Sequence, residues 1–309
     1  MYKLKSWVDI NKIDLDYLSH NPNGIQILEK NINKINWNKL SENSNAIHLL
    51  EKNIDKINWE NLSKNPNAIY ILSKNIDKIN WYWLSKNPNA IYILSKNIDK
   101  INWNGLSANP NAIHLLEKNK DKINWFWLSS NENAIHLLEK NPDKIDWDLL
   151  SLNPNVMMIL ENNMNKKIGD MMLLEKNRNK INWIGLSLNP NGIHFLEKNK
   201  NKINWGGLSG NLNGIHLLEK NMHRINWNYL SKNPNAIHLL EKNVDKINWQ
   251  LLSGNPSIFE YDYDALEKRC NIFKEELIKR ALHPSVITRY LNYPDLKGKD
   301  LEYILDNCF

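Results

Sequence analysis

The sequence predicts an all-α protein: a right-handed α-solenoid of short helical hairpins, period 22, with a helical C-terminal cap. Three observations carry this prediction. Ten of the 13 Trp share one frame, Trp37, Trp59, Trp81, Trp103, Trp125 and Trp147, then Trp183, Trp205, Trp227 and Trp249, each group spaced by 22. The phrase around them reads I-N-W-x-x-L-S-x-N-P-N-A-I-x-L-L-E-K-N-x-D-K. Its apolar residues recur at helical spacing (i, i+3, i+4), and an Asn-Pro interrupts most copies where a leucine-rich repeat would need a strand. A fixed period of this kind overrides the two or three domains that 309 residues would otherwise suggest, because each unit packs only on its neighbours.

Residues 1–14, with Trp7 and Ile10, read as an N-terminal cap, residues 15–256 as the repeats and residues 257–309 as the C-terminal cap. Leu15 fills the Trp slot of the first copy, and Trp249 opens a last half-copy ending at Asn255-Pro256. Within a copy, Asn36 suits an N-cap, Trp37 the first helical position, and Ile35 with Leu40 a hydrophobic staple. Trp37, Leu40 and Ser41 share one side of that helix, while positions 38, 39 and 42 point away. Asn-Pro, as at Asn65-Pro66, ends it, since a residue before Pro avoids the α region and Pro suits the first position of the next helix. The second helix gathers Ala46, Ile47, Leu49 and Leu50 on one arc, and Asn53 is expected to close it in the left-handed region. Each slot Trp should bury ~150–250 Å².

One copy, near 161–182, has lost its W-x-x-L-S-x-N-P part, and five of the seven Met cluster around it (Met157, Met158, Met164, Met171, Met172). Because Met fills irregular gaps, a local bend is expected there. Beyond Ser257 the period stops. Asp264 to Leu282 reads as one longer helix, followed by helical pieces near Pro284–Leu291 and Lys299–Asp306, a tail suited to covering the apolar end of the stack. With neighbours ~10 Å apart, the stack would be a rod or superhelix on the order of 100 Å long.

Composition excludes disorder and a membrane span: apolar residues make up 42% and charged residues 24%, and no run approaches ~18 apolar residues. The N-terminus lacks the apolar core of a signal peptide, and two Cys, Cys270 and Cys308, build no disulfide framework, so an intracellular, unsecreted protein is expected. A net charge of +6 is a weak basic bias, not the dense patch of a dedicated nucleic-acid binder. The 54 Asn, with Lys and Ile, match what an AT-rich genome encodes.

The repeated phrase resembles that of the short tandem-repeat proteins of giant double-stranded DNA viruses of the mimivirus type. The tail segments N-P-S-I-F-E-Y-D-Y (255–263) and C-N-I-F-K-E-E-L-I-K-R-A-L-H-P (270–284) are similar to that family's usual ending. The resemblance covers nearly the whole chain and departs at the truncated copy. It implies a viral protein made in an infected host cell, in the host cytoplasm or the virion, and carries over no catalytic residue or cofactor.

Almost every residue of chemical interest occupies a repeated slot. His48, His114, His136, His194, His216 and His238 share one, filled elsewhere by Gln26, Tyr70, Tyr92 and Met158, on the side of the second helix away from the core. Copies ~10 Å apart cannot share a metal at bonds of ~2 Å, so no metal site is expected. Six His gaining charge below pH ~6.5 would double the net charge, but a planar side chain inherited by duplication is the simpler account. The Lys row (Lys34, Lys56, Lys78, Lys100, Lys122, Lys144, Lys180, Lys202, Arg224, Lys246) reads mainly as a solvated face compensated by its own acids. Ser73 and Ser95 replace Glu in two consecutive copies, which makes Lys74, Lys78, Lys96 and Lys100 the best polyanion candidates. Gly206, Gly207, Gly210 and Gly214 lack the strand and Gly-Lys-Ser/Thr of a phosphate loop, and Cys270 with His283 is too generic for a nucleophilic pair.

The two residues after the slot Trp vary most. They become aromatic pairs at Tyr82-Trp83 and Phe126-Trp127, expected two copies and so ~20 Å apart. Large aromatics on a polar surface are the usual anchors of a protein partner, though they also pack in superhelical grooves. The sequence therefore predicts a non-enzymatic repeat scaffold, without cofactor, that binds another macromolecule, most readily a protein, along an extended surface. A virion or assembly component, or a polyanion binder acting through the Lys rows, are the alternatives.

Overall fold

The computed structural model describes residues 1–165 and 178–291. Two compact units divide the chain, Leu4–Phe259, and Met1–Lys3 with Glu260–Phe309.

Each repeat of the larger unit opens on a short first helix, such as Trp37–Glu42, and continues into a second, such as Ile47–Lys52. A third element follows that the periodicity did not reveal: a single 3₁₀ turn, Ile54–Lys56, before the next Trp. Local chemistry fixes the boundaries. Asn36 accepts the Lys39 N–H, as an N-cap should, and the same bond recurs at Asn58, Asn80 and Asn102. Pro88 and Pro110 begin 3₁₀ turns that lead straight into the second helices. Asn53 does not enter the left-handed region. It sits at φ −135°, ψ 52°, and its side-chain amide donates to the Leu49 carbonyl 2.9 Å away, satisfying a helix-end acceptor without a backbone reversal.

Between copies the core is a ladder of leucines, Leu40, Leu50, Leu62 and Leu72 among them, all fully buried. Beside it runs a polar ladder. Asn43, buried, donates through Nδ2 to the carbonyls of Ser19 and Asn21 in the preceding copy, both at 3.0 Å, while its Oδ1 accepts the Asn45 N–H. Asn45 in turn donates to the Pro22 carbonyl. Ser41 donates to the Trp37 carbonyl at 2.7 Å and accepts the N–H of Asn58 in the following copy. Buried hydroxyls and amides are tolerated because every one of these groups is paired.

The truncated copy does not bend this ladder. Asn189 donates to the carbonyls of Ser151 and Asn153, 36 residues from the latter, and Ser151 accepts the Asn182 N–H. The Trp183 helix thus rests on the Trp147 helix as any copy rests on its predecessor. Of the Met cluster expected at the interruption, Met171 and Met172 lie outside the described residues.

The same bonds join the last copy to the first. Asn21 donates to the carbonyls of Ser253 and Asn255 at 3.0 and 2.9 Å, Asn23 to that of Pro256, and the Asp14 N–H reaches the Ser253 hydroxyl. Helix Leu15–Leu18 packs against helix Trp249–Ser253. The expected rod or superhelix is therefore a closed ring of eleven first helices, ~100 Å around and ~30 Å across at usual helix spacings. Neither end needs the covering expected of the terminal segments, because each covers the other.

First helices of neighbouring copies pack directly, close enough that a Cβ on Gly105 would come 2.6 Å from the Tyr82 carbonyl oxygen. Second helices of neighbouring copies meet through long side chains, as where His48 reaches Glu29 at 2.9 Å. In a ring the more closely spaced row lies inside, so the first helices form the concave wall.

The slot tryptophans are half-buried. The cation of the 3₁₀ turn that ends the same copy lies over most of them, Lys56 4.9 Å from the Trp37 ring centre and Lys78 4.8 Å from that of Trp59. Lys12 does the same to Trp249 across the closure, at 5.0 Å. The Lys row thus covers the indole faces.

In the smaller unit, Asp262 caps helix Tyr263–Ala281, followed by helix Pro284–Leu291, while the expected piece at Lys299–Asp306 lies outside the described residues. Short strands Tyr2–Leu4 and Phe259–Tyr261 pair, a feature without a signal in the repeat pattern. No helix among the described residues is long and apolar enough to cross a membrane.

Closure is testable at one atom. Asn109→Ala removes a hydrogen bond from two buried carbonyls, leaving that of Ser85 without a partner, and should cost about 2–4 kcal/mol in urea unfolding. Asn21→Ala should cost the same to within ~1 kcal/mol, since it removes the equivalent bonds to the Ser253 and Asn255 carbonyls of the last copy. In an open stack Asn21 would have no neighbour, and its loss would go almost unnoticed.

Candidate interaction surface on the concave wall

Three positions per first helix project from the concave wall: the two after the slot Trp and the one after the buried Ser. Most are small or polar. From the Trp81 copy to the Trp183 copy, that of Trp103 excepted, they turn mainly aromatic and aliphatic, with Tyr17, Tyr229 and Leu251 on the wall outside this stretch. Phe126 is 48% exposed, Leu152 43%, Ile184 58% and Leu188 39%.

The two predicted aromatic pairs belong to one cluster. Tyr82 meets Trp83 edge-on at 4.9 Å, and Phe126 meets Trp127 likewise at 5.1 Å. Between the pairs stands Lys86, a residue the sequence did not single out. Its ammonium lies 5.3 Å from the Trp83 ring centre, 4.9 Å from that of Trp127 and 5.9 Å from that of Tyr82. The indoles of Trp83 and Trp127 are therefore no more than about 10 Å apart, half the expected separation. Two causes act together. Side chains on a concave wall converge, and the intervening copy carries only Gly105 and Ala108 where others carry longer residues.

Trp83 is held from its other sides as well. Its indole N–H donates to Glu60 at 3.1 Å, and Lys64, paired with Glu42, lies 4.3 Å from its ring centre. Packing and exposure thus coexist, because Trp83 and Trp127 are half-buried in the wall while Phe126 stands out. Burial against these rings lowers the pKa of the Lys86 ammonium by desolvation.

The other predicted positions sit apart from the cluster. Lys74 and Lys96 extend from second helices, over the rings of Tyr70 and Tyr92 at 5.7 and 5.9 Å. Lys78 and Lys100 lie over Trp59 and Trp81. Slot histidines tie second helices together wherever the preceding copy offers a described Glu: His48 to Glu29, His136 to Glu117, His216 to Glu197 and His238 to Glu219. Hydrogen bonding from His216 holds the Glu197 carboxyl below the usual range. Gly206 and Gly207 lie inside helix Trp205–Gly210 rather than in a phosphate-binding loop. Among the described residues, no three His, Cys, Asp or Glu side chains gather where they could hold a metal.

No family model, curated protein or solved structure matches this chain.

At the first repeats charge on the wall is paired. Asp16 accepts hydrogen bonds from Lys39 and Asn36, and Lys39 also lies 3.7 Å from the Tyr17 ring centre. The Lys39 bond, then that of Asn36, lowers the Asp16 pKa below its usual range. A carboxylate with a lowered folded-state pKa contributes stability above its unfolded pKa and loses it as pH falls through the folded value. Lys39→Met should therefore lower the melting temperature slightly at pH 7. The difference from wild type should close as pH drops through the lowered Asp16 value, as scanning calorimetry across that range would show.

Proposed function

We propose that this chain is a non-catalytic repeat scaffold whose concave wall binds a protein along an extended surface. One observation carries the reading: partly exposed aromatic and aliphatic side chains are concentrated in one stretch of a wall whose other positions, Tyr17, Tyr229 and Leu251 apart, are small or polar. Soluble proteins seldom leave large apolar groups contiguous without a partner for them. Aromatic anchors half-sunk in a rigid wall also bind at little entropic cost, because their rotamers are already fixed.

Polyanion binding through the Lys rows has less support. The row lysines are engaged with Trp faces, and Asp16, Glu42, Glu60 and Asp148 stand among the concave positions. The sequence resemblance makes the cytoplasm of an infected cell, or a virion, the setting in which the partner would be met. A host protein and a capsid or core protein would be recognised by the same surface.

Affinity capture from infected cells with wild type, Tyr82→Ser/Phe126→Ser and Trp83→Ala/Trp127→Ala tests this. The first pair removes projecting rings and should leave the circular dichroism unchanged. Both variants should deplete the same captured proteins at least tenfold, which is ~1.4 kcal/mol and modest for an interface anchor. An identical captured set from all three proteins would overturn the proposal, and enrichment of virion proteins among those lost would identify an assembly role.

A further inference from the structure

Three rings surrounding an ammonium, as Tyr82, Trp83 and Trp127 surround that of Lys86, form the kind of cage that elsewhere receives a ligand's cation. Here the cage is already filled by the protein's own lysine. A partner would gain nothing by bringing a second cation and would first have to expel the resident one. What the arrangement offers is the reverse: one cation, fixed in place and flanked by apolar faces.

The charge pattern around it points the same way. Lys64 and Lys39, whose ammonium groups also lie over wall aromatics, are paired with Glu42 and Asp16. Lys86 forms no ion pair among the described residues, and burial against the rings disfavours its charged form. Two π faces stabilise a cation less than a carboxylate does, so an incoming carboxylate would find a partly desolvated partner already oriented toward it. From Lys86 the apolar stretch extends in one direction along the chain, through Trp127 and Phe126 to Leu152, Ile184 and Leu188. Its last three copies cover ~20 Å, about six residues of extended peptide.

We infer that the concave wall recognises a peptide segment in which a carboxylate, seated on Lys86 between Trp83 and Trp127, is followed by a short run of apolar residues lying over Phe126 to Leu188. The inference rests on the proposed protein-binding role and specifies the partner's chemistry at that same site. Complementarity runs both ways. The segment supplies the charge Lys86 lacks and covers aliphatic groups that stand in water.

Random 16-residue peptides displayed on phage and selected on the immobilised full-length chain provide the test. Enriched sequences should carry Asp or Glu beside an apolar run. Synthetic copies, made with free and with amidated C-termini, separate a side-chain carboxylate from a terminal one. Lys86→Met should weaken the selected peptides at least tenfold, and Lys86→Arg should retain most of the affinity. Replacing the peptide's Glu by Gln should cost a similar factor in wild type and little in the Met variant. Selected peptides without acidic bias, or with affinity indifferent to Lys86→Met, would overturn this inference alone, provided Phe126→Ser still weakens them. If Phe126→Ser and Trp127→Ala also leave every peptide unaffected, the protein-binding reading falls with it.

Discussion

Everything in the larger unit depends on one buried asparagine per repeat. A primary amide has two N–H donors and one carbonyl acceptor, and the residue at Asn43 and its equivalents uses all of them. The two donors take carbonyls at the end of the preceding first helix, groups that a helix cannot satisfy itself. The acceptor fixes the turn into the second helix. Asp would set a carboxylate against two carbonyl oxygens, and Gln would overreach by a methylene. A single side chain thus ends one helix, begins the next and sets the distance and angle between copies.

Ring closure follows from repeating that geometry. Each copy is joined to its predecessor by the same bonds, so any small rotation per step accumulates in one sense. After eleven steps it brings Ser253 and Asn255 to the position that a predecessor of Asn21 must occupy. The tryptophans complete the arrangement. Their outer faces are covered by the cation of the 3₁₀ turn that ends the same copy, and at the closure Lys12 supplies that cation to Trp249, so the N-terminal segment completes the last copy.

Much of this was legible in the residues. Helix starts at Asn-Trp, the break at Asn-Pro and the buried leucines follow from local rules that need no knowledge of neighbours. The asparagine ladder was not, because its acceptors lie in another copy and its residues pass for capping groups or codon bias. Curvature escaped for a related reason, since a period fixes what repeats but not the rotation between repeats. At the interaction surface Tyr82, Trp83, Phe126 and Trp127 stood out as departures from the pattern, whereas Lys86 occupies a slot where lysine is ordinary. Its signal was indirect and lay one copy further on, where Gly105 and Ala108 clear the space between Trp83 and Trp127.

A linear stack can gain or lose a unit by gene duplication with little effect on the units already present. A circle cannot, because a twelfth member would require every interface to open by the same small angle at once. The remnant between the Trp147 and Trp183 copies is informative in that light. It adds chain without the W-x-x-L-S-x-N-P phrase of a first helix, and the bonds from Asn189 to Ser151 and Asn153 join the copies on either side of it. Membership of the circle is fixed at eleven, and sequence expansion in such a protein is confined to places where the added residues need not join the count.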